Sequence, residues 1–488
     1  MKSIIVFLLI ILSFDEYSFS QAKDPYKAME TEAGKLFKED KYSEALPIYL
    51  VLDSLKPNYG LSKARIGISF MATSTKYKSL PYLQAAKKLG YTKDGLDYYL
   101  GRAYHLNHDF DNAIAAYQAY KAPLKKKDKI AEMDDLIKNC VNGKELIKNP
   151  VNVSIENLGP SINSSYGDFA PIISGDEAIL LFTSKRPNNG RKNENGDHFE
   201  DIYFSTKEAG KWSNPLNLGS TVNTSVNDAA VGVSMDGQHL FLYQNDTLAK
   251  DESGGDIYQS NLKENEWSKP VRLNEPVNTP HWEPSSSMDS KEEILFFTSD
   301  RPDGIGGTDI YVSHRLPNKM WGPAKNLGPK VNTPLDEDAP FIHADGKTLY
   351  FSSKGHNSMG GFDIFNVTYN SVTDEVGQTT NVGYPVNSAD DDLFFVWSAD
   401  GKRGYFSSAR EDSYGEEDIY LIRRPDFNID LILLDGKMSS QTTAVSSKFS
   451  VIDNSTKNVL ATYDSTKFSK EYIVVLETGK NQAFYAES

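Results

Sequence analysis

The spacing of apolar positions changes character along the chain. A nine-residue apolar run, residues 4–12, is followed from Lys27 to about Lys148 by apolar and small side chains recurring three and four apart, the period of an amphipathic helix. That pattern breaks at Pro57-Asn58-Tyr59-Gly60 and at Gly90-Tyr91-Thr92, which predict turns between helices. From Asn152 onward, short segments rich in β-branched and aromatic residues lie between clusters of Gly, Pro, Asn and Asp, and these predict strands. The chain therefore reads as a helical domain followed by β domains.

Within the helical stretch, Leu100-Gly101-Arg102-Ala103-Tyr104, followed by Phe110, Ala113, Tyr117 and Tyr120, places small residues where two antiparallel helices touch and aromatics where they interlock. An earlier copy runs Ala33-Gly34-Lys35-Leu36-Phe37, then Tyr42, Ala45, Tyr49 and Pro57, and Leu61 to Leu89 fits a third helix pair that carries the signature poorly. The spacing resembles the tetratricopeptide repeat, with Gly101, Tyr104, Ala113 and Tyr117 as signature positions, and implies an α-solenoid over residues 21–148 that serves as a protein-binding groove. A last helix, about Lys127 to Ile147, would cap the stack.

The β region repeats more strongly. Asp201-Ile202-Tyr203, Asp256-Ile257-Tyr258, Asp309-Ile310-Tyr311, Asp363-Ile364-Phe365 and Asp418-Ile419-Tyr420 stand 55, 53, 54 and 55 residues apart. Trp212, Trp267 and Trp321 keep step with them, as do Asn163-Ser164, Asn223-Thr224, Asn278-Thr279, Asn332-Thr333 and Asn387-Ser388. So do the aromatic-hydroxyl strands at Phe182, Phe297, Phe351 and Phe406, while Asp236-Gly237, Asp345-Gly346 and Asp400-Gly401 suit two-residue hairpins. Each unit holds four short strands and cannot bury its faces alone, so residues 149–427 are expected to form a five-bladed β-propeller. The fifth copy lacks its last strand, and residues about 151 to 162 are expected to supply it, closing the ring. The repeated aspartates Asp201, Asp256, Asp309, Asp363 and Asp418 read as structural groups bonding blade to blade, because five equivalent positions imply a structural task.

Residues 428–488 alternate as further strands, at Leu431–Leu434, Lys448–Ile452, Val459–Tyr463 and Tyr472–Leu476, and the last residues read as the middle of a strand. The phrases Ala344-Asp345-Gly346-Lys347-Thr348-Leu349-Tyr350-Phe351-Ser352-Ser353 and Gly306-Gly307-Thr308-Asp309-Ile310-Tyr311 resemble the PD40/TolB-like propellers. The whole order looks like the Bacteroidetes OmpA-family envelope proteins, including the peptidoglycan-linked component of type IX secretion. That resemblance implies a small carboxypeptidase-regulatory-like β-sandwich over residues 428–488. It also implies a periplasmic protein associated with the outer membrane, with other envelope proteins as partners. The family's OmpA-like peptidoglycan-binding domain is missing from this sequence, so the chain reads as a fragment or a shortened paralogue.

Composition narrows the chemistry. Met1-Lys2-Ser3, the apolar run and the polar stretch ending Ser18-Phe19-Ser20 have the three parts of a signal peptide, residues 1–20, and the run is too short to span a bilayer. A net charge of −15 opposes nucleic-acid binding. Cys140 has no disulfide partner and reads as a small core residue. The eight histidines form no ligand set and read as surface groups, and no Gly-x-Ser-x-Gly elbow is present. In the loop from Asp300 to Asp309, Asp309 is expected to bond neighbouring backbone rather than calcium.

No cofactor, metal or catalytic residue is assigned. The expected function is a non-catalytic scaffold; the alternatives are a module for glycan or peptidoglycan fragments, or a hydrolase using Asp390, Asp391 and Asp392 with Asp338. That acidic run reads first as a solvated loop entering the fifth blade.

Overall fold

A computed structural model describes residues 24–188, 192–193, 196–235, 237–245, 254–263, 266–425, 431–437, 448–454, 457, 459–464, 471–477 and 482–487. The expected signal peptide lies outside them, as does Asp236. The chain forms two compact units, residues 1–145 and 146–488.

Seven α-helices are described in the first unit: Pro25–Lys38, Tyr42–Leu55, Gly60–Met71, Ser79–Lys88, Leu96–Leu106, Phe110–Lys121 and Lys127–Leu146. Asp24 starts the first, accepting from the Lys27 N–H, with Pro25 in the opening turn where its missing N–H is harmless. Through the first six, each helix packs on its successor. Close approach needs glycine: a Cβ on Gly67 would lie 2.5 Å from the Leu83 side chain, and one on Gly101 would lie 2.5 Å from Tyr117. Ala113 and Tyr117 are buried, Tyr104 is half-buried, and Cys140 is a fully buried core residue whose thiol burial pushes up to about 12. His105 departs from its expected place on the surface. It is buried against the rings of Phe110 and Tyr117, because the last turn of its helix faces inward.

The second unit contains the five-bladed propeller. Its inner strands are Asp168–Ile173, Asp228–Val233, Ser286–Met288, Glu337–Ile342 and Asp392–Trp397, and each opens an antiparallel sheet. Strand Ser154–Asn157 joins the last sheet, Ser154 opposite Arg423 and Asn157 opposite Tyr420, so the start of the domain completes its final blade. Apolar residues of adjacent blades form continuous cores, as where Phe182 and Leu180 meet Tyr405 and Ile419.

The hairpins at Asp345-Gly346 and Asp400-Gly401 differ from the two-residue form. Their loops are four residues long, closed by His343 N–H to Thr348 O and Ser398 N–H to Arg403 O. Asp345 and Asp400 cap the loop N–H groups, which lengthens the turn, while Gly346 and Gly401 take φ of 65° and 66°. Beyond the propeller, strands Leu431–Lys437 and Glu471–Glu477 pair, and Lys448–Asp453 lies between Val459–Asp464 and Gln482–Glu487.

Candidate binding face of the propeller

Register sets one end of every blade. Asp168 lies opposite Ser184 and Ser184 opposite Asp201, and the same row recurs as Glu337, Ser353 and Asp363 and as Asp392, Ser408 and Asp418. The connectors between blades and the loops between second and third strands all emerge here, so this end carries the longest loops.

The Asn-Ser/Thr markers hold the connectors. Each Asn side chain clasps the backbone of the Asp-Ile-Tyr isoleucine in the blade just left, as Asn278 does with Ile257 at 2.9 and 2.8 Å, and so with Asn163, Asn223, Asn332 and Asn387. The Ser or Thr that follows donates to a carboxylate four residues on, which opens the next blade: Asp168, Asp228, Glu283 or Glu337. At Asp392 the Ser388 backbone N–H makes the equivalent bond. One dipeptide thus joins two blades.

All five carboxylates are fully buried. Arg186, Arg301 and Arg410 reach three of them and donate to backbone carbonyls of the same connector, each lying over two aromatic rings of its own blade. In the second blade Gln244 makes the matching bonds, to Asp228 and the Val222 carbonyl. In the fourth, His356 takes the carbonyl contact and Gly355 stands where the arginine would.

Burial, opposed by the hydroxyl and N–H donors, raises Asp228 and Asp392 to about 6 and Glu337 to about 7. A raised carboxyl means that the folded state holds more protons between the ordinary and the raised value. Stability from Glu337 is therefore fully present below about pH 4.5 and falls as pH rises through about 7. Relative to the wild type, Glu337→Gln, which cannot ionise, should gain up to about 3 kcal/mol between about pH 4 and about pH 8, since each pKa unit is worth about 1.4 kcal/mol. Thermal unfolding at both pH values checks this; a wild-type-to-variant difference that does not change with pH would refute it.

The Asp-Ile-Tyr aspartates do not bond blade to blade in the contacts described. Their bonds stay within the blade: Asp309 accepts from Ile305 N–H, Gly306 N–H and Asn326, and Asp418 from Tyr414 N–H, Gly415 N–H and Asn157. Asp363 likewise holds Met359 N–H and Asn381, Asp256 holds Arg272, and Asp201 holds Asn188 and Asn217. Asp309 does bond neighbouring backbone as expected. Its position at the start of the third strand explains the difference, since it faces its own loop rather than the next blade.

These bonds fix loops that present apolar side chains outward. The residue two beyond each Ser or Thr, Tyr166, Val226, His281, Leu335 or Asp390, gives its N–H to that hydroxyl, so a variable side chain stands on a fixed turn. Glycines of the preceding blade press against the same turns: a Cβ on Gly306 would lie 2.0 Å from the Leu335 carbonyl oxygen, and one on Gly415 1.8 Å from that of Tyr166. Tyr166, Trp282, Ile305, Leu335 and Tyr414 are 37–50% exposed on this face.

The acidic run differs from a solvated loop. It enters the fifth blade, but Asp390 and Asp392 are buried and Asp392 is one of the five opening carboxylates. Asp338 lies apart from it on the fourth blade, bonded to Ser285 and the Ala339 N–H. His343 is buried as well, donating to or accepting from the backbone around Ser398 and Asp345. Trp212, Trp267 and Trp321 lie at the opposite end; Trp321 is buried under Arg315, and Lys207 sits over Trp212.

Two cavities of about 80 and 30 Å³ lie among the inner strands, lined by residues including Ile172, Val231, Ser286, Phe341 and Val396. Neither lining contains Asp, Glu or His. Among the described residues no cluster of His, Cys, Asp or Glu suits a metal ion, and no helix is long and apolar enough to cross a membrane.

The buried acids and arginines escaped the sequence reading, although Phe-Thr/Ser-Ser-x-Arg recurs at Arg186, Arg301 and Arg410 and was legible.

No family model matches the chain, and no curated protein matches it. Among solved structures, similar ones include hydrazine synthase of Kuenenia stuttgartiensis, at 13% identity and TM-score 0.29, covering 51% of this chain and 58% of that one. An α-L-arabinofuranosidase of Lactobacillus brevis has 13% identity and TM-score 0.38, covering 54% and 91%, and a glycosyl hydrolase of Bacteroides ovatus has 9% and 0.35, covering 55% and 86%. The chain thus spans less than two thirds of the first of these, and likeness at this level carries no argument about activity.

Proposed function

We propose that this protein is an exported, non-catalytic scaffold of the cell envelope, whose propeller loop end and helical repeats bind other envelope proteins. The observation that carries the reading is a set of rigid turns, pinned by buried carboxylates, that leave Tyr166, Trp282, Leu335 and Tyr414 exposed. Exposed apolar side chains held rigid lose little entropy on binding, which suits recognition. Glycines 34, 67 and 101, at 33- and 34-residue spacing, support the tetratricopeptide reading of the helices. The strand pairs beyond Leu431 are compatible with a small sandwich, and the apolar N-terminal run with export.

Glycoside hydrolysis needs two carboxyl groups facing one space. The axial cavities offer none, and the five opening carboxylates are buried and engaged. Tagged residues 21–488 should retain a stoichiometric protein partner from envelope extracts, and the Tyr166→Ser/Tyr414→Ser double variant should lose it. Recovery of nothing above an untagged control, or hydrolysis of a glycan or peptide that Asp338→Asn abolishes, would overturn the proposal.

A further inference from the structure

The exposed apolar positions of the loop end share it with exposed carboxylates. Asp300 and Asp303 precede Ile305 in one loop, Glu411 and Glu416 flank Tyr414 in another, and Asp197 lies beside His198, whose ring meets Tyr166 at 5.5 Å. Two lysines of this end are occupied by acids: Lys354 holds Asp336 at 2.8 Å, and Lys185 lies 3.7 Å from Glu416 and 4.0 Å from Glu200. Residues 149–425 carry 23 Lys and Arg against 41 Asp and Glu, whereas residues 24–148 carry 21 against 16. The acidity of the chain is thus concentrated in the propeller.

We infer that the loop end takes a cationic, partly apolar protein segment: a stretch of Lys or Arg interspersed with Leu or aromatic side chains. Aromatic faces and carboxylates both attract ammonium and guanidinium groups, and the apolar positions require a partner that is more than charge. Acidic peptides and polyphosphates are repelled by the same surface. The inference rests on the binding-face reading and adds the partner's chemistry to it.

Three fluorescein-labelled peptides test it by anisotropy against the full chain: GLKGLKGLKG, its glutamate analogue GLEGLEGLEG, and its leucine-free analogue GSKGSKGSKG. The Leu-Lys peptide should bind at least tenfold tighter than either analogue. Tyr166→Ser/Tyr414→Ser and Glu411→Lys/Glu416→Lys should each weaken it at least tenfold, while Val372→Ser, 89% exposed in a turn at the other end of the fourth blade, should leave it unchanged. All these side chains are exposed, and unfolding midpoints within a degree or two of wild type confirm intact folding. Equal binding of the leucine-free peptide, or indifference to the tyrosines, overturns the inference by showing charge attraction alone. Tighter binding of the glutamate peptide that still needs the tyrosines overturns the partner chemistry but leaves the binding face standing. Failure of every peptide, together with a partner retained by the tyrosine variant in extracts, sinks both.

Discussion

Glu156→Pro should lower the unfolding midpoint of the propeller by roughly 6–12 °C, while Glu156→Ala leaves it nearly unchanged. The Leu158 N–H donates to the Ile419 carbonyl, and hydrogen-bonded pairs alternate along an antiparallel ladder, so Glu156 and Leu421 form the next such pair. Proline there removes a ladder bond in the strand that closes the ring, worth about 3 kcal/mol, and a domain of this size shifts by about 2–4 °C per kcal/mol. Its side chain is exposed, so alanine removes only a weak contact with Arg423. Opening the closing strand also uncovers the edge of Asp418–Arg423, and the proline variant should aggregate on heating. Scanning calorimetry and light scattering measure both effects; a midpoint equal to that of Glu156→Ala would show that closure does not hold the ring.

The second large effect is expected at Arg301. Its guanidinium lies over Phe297 and Tyr311 at 5.1 and 4.6 Å and donates to the Val277 carbonyl at 2.9 Å and to Glu283 at 3.3 Å. Arg301→Met leaves the buried Glu283 carboxylate without its counter-charge and the connector carbonyl without a donor, at about 3–5 kcal/mol. Adding Ser299→Gln to Arg301→Met should recover part of that loss, because Gln244, at the register position of Ser299, makes the same two kinds of bond in the second blade. Adding Glu283→Gln to Arg301→Met should also recover stability, and the double-mutant cycle measures the coupling in denaturant unfolding. Strict additivity would contradict the ion-pair account.

Much of the propeller was legible because identical residues recur in step: Asp-Ile-Tyr fixed the period, and the missing fifth outer strand pointed to Ser154–Asn157. The buried acids were harder to see because that position holds Asp in three blades and Glu in two, and the group reaching the acid is Arg in three blades and Gln in one, while in the fourth His356 takes the connector carbonyl. Chemistry was kept while residue identity was not. His105, His343 and Asp392 were misplaced on the surface for a different reason: polarity predicts exposure only where no partner waits inside, and each meets an aromatic ring or a hydrogen-bond partner supplied by the next helix, strand or blade. The exposed apolar positions of the loop end fall on irregular turns, where no period marks them.

The binding face can be tested in place. With a photoreactive benzoylphenylalanine at position 414, 335 or 372, irradiation of cells making the protein should give discrete protein adducts from positions 414 and 335 and none from 372. Adducts from 372 alone, or none from either loop-end position, would contradict the assignment of this face.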